Sequence, residues 1–303
     1  MKIIDGKTTA ELIKNEIKTE VAAIIDKYNS APHLAAILVG DDEASNTYVS
    51  SKEKDCRSVG ITSSVYRLSS RTSEEELLRT IAFLNEDEQI HGFIVQLPLP
   101  EHINVDRIIA AINPNKDVDG FHPINLGRMM LGQDSFLPAT PFGILELLKR
   151  YNIETKGKNC VVLGRSNIVG TPLSIMLSRK NDPGNSTVTL CHSYSNNLAD
   201  ITRQADILIA AIGKPEFVTK EMVKENATVI DVGIHRIVDH EKNSGYRLIG
   251  DVKFDEVAPK CDYITPVPGG VGPMTRIALL LNTLKAFRKT TGISQINSNP
   301  QIS

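Results

Sequence analysis

CVVLGRSNIVGTPLSIML, residues 160–177, is the stretch whose reading decides the fold. A run of apolar residues suited to a buried strand ends at Gly164, and a helical pattern then opens with Pro172 at its first position. Glycine permits a tight turn, and the free N–H groups at a helix N-terminus attract a pyrophosphate. The glycines are spaced G-x5-G, not G-x-G-x-x-G, so an ordinary strand-to-helix connection is the plain alternative. Three more strand-like runs follow: TVTLC (187–191), DILIAA (206–211) and ATVIDVG (227–233). Helices between the first three predict a doubly wound, Rossmann-like sheet.

The upstream half alternates in the same way. Ile13, Ile17, Val21 and Ile24 form an apolar stripe on a helix that Thr8 or Thr9 would cap. LAAILVG (34–40) reads as a buried strand, followed by a helix from about Ser45 to Val59 that Gly60 ends. A strand around Ser64–Leu68 leads to a capping box of Ser73 and Glu76, and GFIVQLPLP (92–100) is a buried strand closed by prolines. The pattern predicts a mostly parallel sheet covered by helices, so the chain is α/β with two domains. Residues 113–141 are rich in turn formers and carry little periodicity, which sets the border near the helix TPFGILELLKRY (140–151). A last helix, about Thr275–Lys289, could pack on either domain.

The chain has 303 residues, enough for two ordinary cores, and a net charge of −2 with both signs dispersed. That balance argues against a nucleic-acid or anionic-membrane partner. The four cysteines (Cys56, Cys160, Cys191, Cys261) form no C-x-x-C pair, as expected for reduced thiols in a cytoplasmic protein. No signal-like or membrane-spanning stretch is visible, and the tail SQINSNPQIS reads as frayed.

Several residues stand where chemistry is expected. The second strand of the downstream half ends in His192 and Ser193, not in the carboxylate that would hold a ribose diol, and Arg165 lies in the first turn. Both features favour NADP over NAD. Tyr48 and Lys52, four apart, share a helix face just after the strand LAAILVG. Loss of hydration favours the neutral form of an amine, which makes a lysine at such a place a candidate base. The alternative is a solvated lysine beside a packed tyrosine. Short-chain dehydrogenases also use Tyr-x3-Lys, but theirs follows the glycine turn, and here it precedes it by more than a hundred residues.

Gln96, at the end of its strand, could hydrogen-bond and steer a lysine amine. Asp119, in KDVDGF, could accept two donors from an aminopyrimidine edge, while Asp117 is the better candidate for an Asx turn. TPVPGGVGPMT (265–275) has no helical or strand period and either lines a site or crosses between domains. His235 and His240 lack further ligands at metal spacing, so no metal is expected.

Ten stretches, in order, resemble the bifunctional methylenetetrahydrofolate dehydrogenase/methenyltetrahydrofolate cyclohydrolase (FolD) family: VGDDEASNTYVSSKEKDCRSVGI, GFIVQLPLP, NKDVDGFHPINLGR, PATPFGILELL, GRSNIVGTP, TVTLCHS, ADILIAAIGKP, VIDVGI, GDV and TPVPGGVGPMT. The resemblance covers nearly all of residues 1–290 and implies two reactions in one pocket. Hydride passes from the one-carbon bridge of 5,10-methylenetetrahydrofolate to NADP, and water then opens the methenyl product to 10-formyltetrahydrofolate. It implies Lys52 as catalytic lysine, with Gln96 and Tyr48 orienting it, Tyr48 also against the aminobenzoyl ring and Asp119 on the pterin. Backbone of Val95, Gln96 and Leu97, and of Pro268, Gly269, Gly270, Val271 and Gly272, would line the folate. Gly164, Arg165, Ser166, Ser193 and Ile234 would contact the dinucleotide.

The final helix would return to the N-terminal domain, giving a folate-binding domain of 1–139 plus 275–303 and a dinucleotide domain of 140–274. The resemblance further implies a homodimer working in one-carbon metabolism and purine biosynthesis. Two positions depart from the family pattern. Tyr194 stands where many relatives carry a basic residue after His-Ser, and Ala139 where Cys is common. A monofunctional NAD-dependent dehydrogenase is the nearest rival, and retained Lys52 and Gln96 speak against it. A dinucleotide-sensing protein without turnover is the rival from another class.

Overall fold

The computed structural model of the chain describes residues 1–239, 241 and 245–294. The chain begins β1 (Lys2–Ile3), α1 (Gly6–Tyr28), β2 (His33–Val39), α2 (Glu43–Val59), β3 (Thr62–Leu68), α3 (Glu74–Glu86) and β4 (Gly92–Val95). It continues α4 (Val105–Ala111), α5 (Pro123–Met130), α6 (Ala139–Arg150), β5 (Asn159–Leu163), α7 (Gly170–Ser178), β6 (Thr187–Cys191) and α8 (Leu198–Thr202). Then come β7 (Ile207–Ala210), β8 (Ala227–Asp231), β9 (His235–Val238), β10 (Tyr246–Ile249), α9 (Phe254–Val257), β11 (Cys261–Ile264) and α10 (Val271–Thr291). Two compact units divide it: Glu11–Ala139 with the chain from Arg276 onward, and Met1–Ala10 with Thr140–Thr275.

The first unit holds a parallel three-stranded sheet ordered β3-β2-β4. Its middle strand is buried from Leu34 to Val39, because both of its faces are covered and LAAILV has no polar side chain to leave exposed. Ile37 and Phe93 pack with Leu77, Ile81 and Leu84 of α3. The capping box of Ser73 and Glu76 is present, and Gly60 ends α2 with φ of 82°, a left-handed turn that glycine adopts freely. In the later part of α10, buried Asn282 donates to the Val118 carbonyl at 2.8 Å and to the Leu137 carbonyl at 2.9 Å. Those bonds and the contact of Phe287 with His91 place that part of the helix in the first unit.

The second unit holds a six-stranded sheet, β1-β11-β8-β7-β5-β6, parallel throughout, and an antiparallel β9–β10 ribbon. From β5 the chain moves to β6 on one side and then to β7 on the other. That reversal makes the end of β5 a topological switch point, where open α/β sheets bind ligands.

Several expectations need correction. β1 pairs with β11 (Lys2↔Tyr263, Ile3↔Ile264), so residues 1–10 belong to the second unit, not with the rest of 1–139. These two short strands have too little pattern to be seen alone. Asp5 caps α1, accepting from Thr8 N at 2.9 Å, and Thr9 instead bonds back to the Asp5 carbonyl. α7 opens at Gly170, two residues ahead of Pro172. β4 stops at Val95, because Pro98 and Pro100 offer no ladder donors. The turn-rich segment 113–141 contains α5, capped by His122 with Pro123 in its first turn. α10 starts at Val271, with Pro273 in the first turn, where no amide donor is missed. His240 and tail residues 295–303 lie outside the described residues.

Candidate active site

The first site is built where β2 and β4 end. Asp42 caps α2 by accepting from Ser45 N at 2.7 Å, and the helix carries Tyr48, Lys52 and Asp55 at successive turns. Lys52 is half-buried, and its Nζ donates to Gln96 Oε1 at 3.1 Å. Gln96 is itself fixed: its backbone N–H donates to the Ile37 carbonyl at 2.9 Å and its Nε2 to the Leu97 carbonyl at 2.7 Å. The carboxamide therefore presents its oxygen to the lysine. Tyr48 is 50% exposed, and no hydrogen bond within the described residues holds its hydroxyl.

Buried Asp55 pairs with Lys14 at 2.7 Å and Arg276 at 3.2 Å, tying α2 to α1 and to α10. Burial pushes the neighbouring Cys56 thiol up to about 12, which leaves it a packing group.

Asp119 is half-buried and makes no hydrogen bond among the described residues. Burial pushes its carboxyl above the usual range, the Lys52 charge opposes this, and the Asp117 charge adds to it. Asp117 builds the turn. Its carboxylate accepts from the amides of Gly120, Phe121 and His122 and from Asn125 Nδ2, at 2.8 to 3.3 Å. Gly120 has φ of 74°, and a Cβ there would collide with the Leu137 backbone. The turn's bonding thus falls on Asp117 and leaves the Asp119 carboxylate open to a ligand.

The second site is a cleft of about 300 Å³ at the switch point of the six-stranded sheet. Leu163, Gly164, Arg165 and Ser166 line it from β5, Cys191, His192 and Ser193 from β6, and Leu198 opens α8. Ala211, Ile212, Lys214 and Phe217 come from the segment after β7. The G-x5-G spacing has a steric cause. A Cβ on Gly164 would meet the Ala211 carbonyl, and one on Gly170 would meet the Gly164 carbonyl. The Ser166 hydroxyl accepts from Val169 N at 3.2 Å and caps the helix start. No Asp or Glu lines the cleft, and Arg165 and Lys214 bring positive charge to it. Among the described residues no group of three His, Cys, Asp or Glu is placed to hold a metal ion.

Two family models match the chain: the tetrahydrofolate dehydrogenase/cyclohydrolase catalytic domain over residues 4–119, and the NAD(P)-binding domain of the same enzymes over residues 138–291. The chain belongs to the tetrahydrofolate dehydrogenase/cyclohydrolase family. Within this family the bifunctional protein FolD of Cytophaga hutchinsonii is 59% identical over 286 residues, covering 94% of this chain and 99% of that protein. The crystal structure of Campylobacter jejuni FolD, a methylenetetrahydrofolate dehydrogenase/cyclohydrolase, superposes with a TM-score of 0.90 at 48% identity, covering 95% of this chain and 99% of that one. Trypanosoma brucei FolD, solved with NADP cofactor and inhibitor, gives a TM-score of 0.90 at 39% identity, covering 96% and 99%.

The residues singled out from the sequence divide between the two units. Lys52 and Gln96 meet directly, and Asp119 interacts with Lys52 through charge. Val95 is the buried last residue of β4, and Leu97 accepts the bond that orients Gln96. Gly164, Arg165, Ser166 and Ser193 all line the cleft. Ile234 is not one of its lining residues; it is exposed, beside Gly272. Pro268, Gly269 and Gly270 form a loop that Lys7 joins by donating to the Gly269 carbonyl at 2.9 Å, while Val271 and Gly272 already belong to α10.

The sequence reading missed Ile212, Lys214 and Phe217, although the Gly213-Lys214 pair just past a strand end was a usable signal. It also missed Asp251, whose carboxylate accepts from the amides of Ile212 and Gly213.

Proposed function

We propose that the chain performs two reactions in succession on one folate. It oxidises 5,10-methylenetetrahydrofolate to 5,10-methenyltetrahydrofolate with NADP and hydrolyses the product to 10-formyltetrahydrofolate. The observation that carries the reading is the Lys52–Gln96 hydrogen bond beside the unbonded carboxylate of Asp119.

Oxidation removes a hydride from the one-carbon bridge, and NADP supplies the acceptor when bound. No protein base is needed at this step, because the flanking nitrogen lone pairs stabilise the cation. The cleft suits such a dinucleotide. Arg165, Lys214 and Ser193 offer donors to phosphate, and no carboxylate repels it. Hydrolysis does need proton transfer. Water adds to the methenyl carbon and gives one proton to the neutral Lys52 amine. That proton passes to the ring nitrogen as its bond to the carbon breaks. The remaining hydroxyl proton leaves to solvent as the formyl C=O forms, so the charge of the cation departs as one proton. Gln96 holds the amine in line, and Asp119 accepts two donors from the pterin edge.

The test is spectrophotometric: methylenetetrahydrofolate is supplied with NADP and, in parallel, with NAD. Methenyl product formed faster with NADP and then consumed supports the reading, and no methenyl product with either cofactor rejects it. We also propose a homodimer that works in the cytoplasm and supplies formyl groups for purine biosynthesis. Sedimentation at micromolar concentration tests the dimer.

A further inference from the structure

Tyr194 removes one positive charge from the expected phosphate end of the cleft, where many relatives carry a basic residue after His-Ser. Its side chain is 80% exposed and does not line the cleft. We propose that Lys214 is the second cation that reads the adenosine 2′-phosphate of NADP, together with Arg165. This rests on the NADP reading above.

The two cations reach the cleft from neighbouring strands, Arg165 after β5 and Lys214 after β7. Both are exposed, and neither has a carboxylate partner among the described residues, so their charge is available to an anion. The Lys214 ammonium lies 5.5 Å from the centre of the Phe217 ring, a weak cation–π contact at an exposed site that a dianion displaces easily. A guanidinium offers a planar fork and an ammonium a compact point charge, and a phosphomonoester accepts both.

The backbone that carries Lys214 is also fixed. The two residues before it donate their amides to one oxygen of Asp251, Ile212 at 2.7 Å and Gly213 at 3.0 Å. Asp251 is fully buried, its other oxygen meets His235 Nε2 at 2.8 Å, and its own amide donates to Asp231 Oδ1 at 2.9 Å. Gly213 has φ of 69°, which lets the chain turn directly before the lysine. Asp251 is therefore a positioning residue for Lys214, acting through the backbone.

The experiment compares kcat/KM with NADP and with NAD for the wild-type enzyme, Lys214→Met and Asp251→Asn. Cyclohydrolase turnover, which consumes no dinucleotide, serves as the folding control. Lys214→Met is expected to lower efficiency with NADP by about tenfold while changing NAD efficiency by about twofold or less, and the NADP loss should shrink as salt screens the contact. Asp251→Asn should raise KM for NADP more than for NAD, with kcat less affected. Equal losses with both cofactors for Lys214→Met would assign the lysine to the pyrophosphate and overturn the proposal, as would an unchanged NADP efficiency. If Asp251→Asn leaves both KM values unchanged, the positioning role falls. A wild-type preference for NAD would instead strike the NADP reading, and it is seen before any variant is made.

Discussion

Lys52 Nζ and Gln96 Oε1 are 3.1 Å apart, and the glutamine is held on its far side by the Leu97 carbonyl. A side chain fixed at both ends orients the amine more firmly than solvent would, so the pair behaves as one unit. Gln96→Ala is expected to lower cyclohydrolase turnover by about tenfold, less than loss of the lysine itself, with KM for folate little changed. Steady-state hydrolysis of methenyltetrahydrofolate checks it, and wild-type turnover would show that the lysine needs no guide.

Asp119→Ala should raise KM for folate in both activities and leave dinucleotide affinity intact. A lost acceptor strands two ligand donors, about 1–3 kcal/mol, or roughly five- to a hundredfold. Unchanged folate KM values in both assays would reduce Asp119 to a shaper of its turn.

Arg165→Ala should lower NADP efficiency by about ten- to a hundredfold and NAD efficiency far less, since a charge-assisted phosphate contact is worth about 1.5–3 kcal/mol. Equal penalties on the two cofactors would remove Arg165 as a phosphate reader.

Much of this was legible in the residues. Apolar runs such as LAAILVG gave the buried strands, and the Ser73–Glu76 and Gly60 signals marked helix ends where the structure has them. Turn chemistry points to Asp117 as the turn former, and its carboxylate does accept the amides of Gly120, Phe121 and His122. What escaped depended on distant partners. β1 is only two residues long and exists because β11 lies beside it. Lys214 becomes visible only when the end of β7 is brought beside β5. Asp251 matters through amides thirty-eight and thirty-nine residues away, which no local pattern reveals.

Asp231 gives a pH signature. It is buried, and desolvation pushes its carboxyl from 3.8 to about 6, against three amide donors that favour the ion. A folded-state value above the unfolded one means the native state binds the extra proton, so stability falls as pH rises from about 4 through about 6, by ~3 kcal/mol in all. Asp231→Asn removes the titration. Urea unfolding at several pH values should show a flatter pH dependence for the variant between about pH 4 and 6, and parallel curves would contradict the assignment.

The most direct test of the account is Lys52→Met, which keeps a four-atom apolar stem and removes the amine. Cyclohydrolase turnover of methenyltetrahydrofolate should fall by about a hundredfold or more, the scale of a lost general base, while NADP-dependent oxidation of methylenetetrahydrofolate continues. A folded Lys52→Met enzyme that still hydrolyses the methenyl compound at near wild-type rate would contradict the central claim.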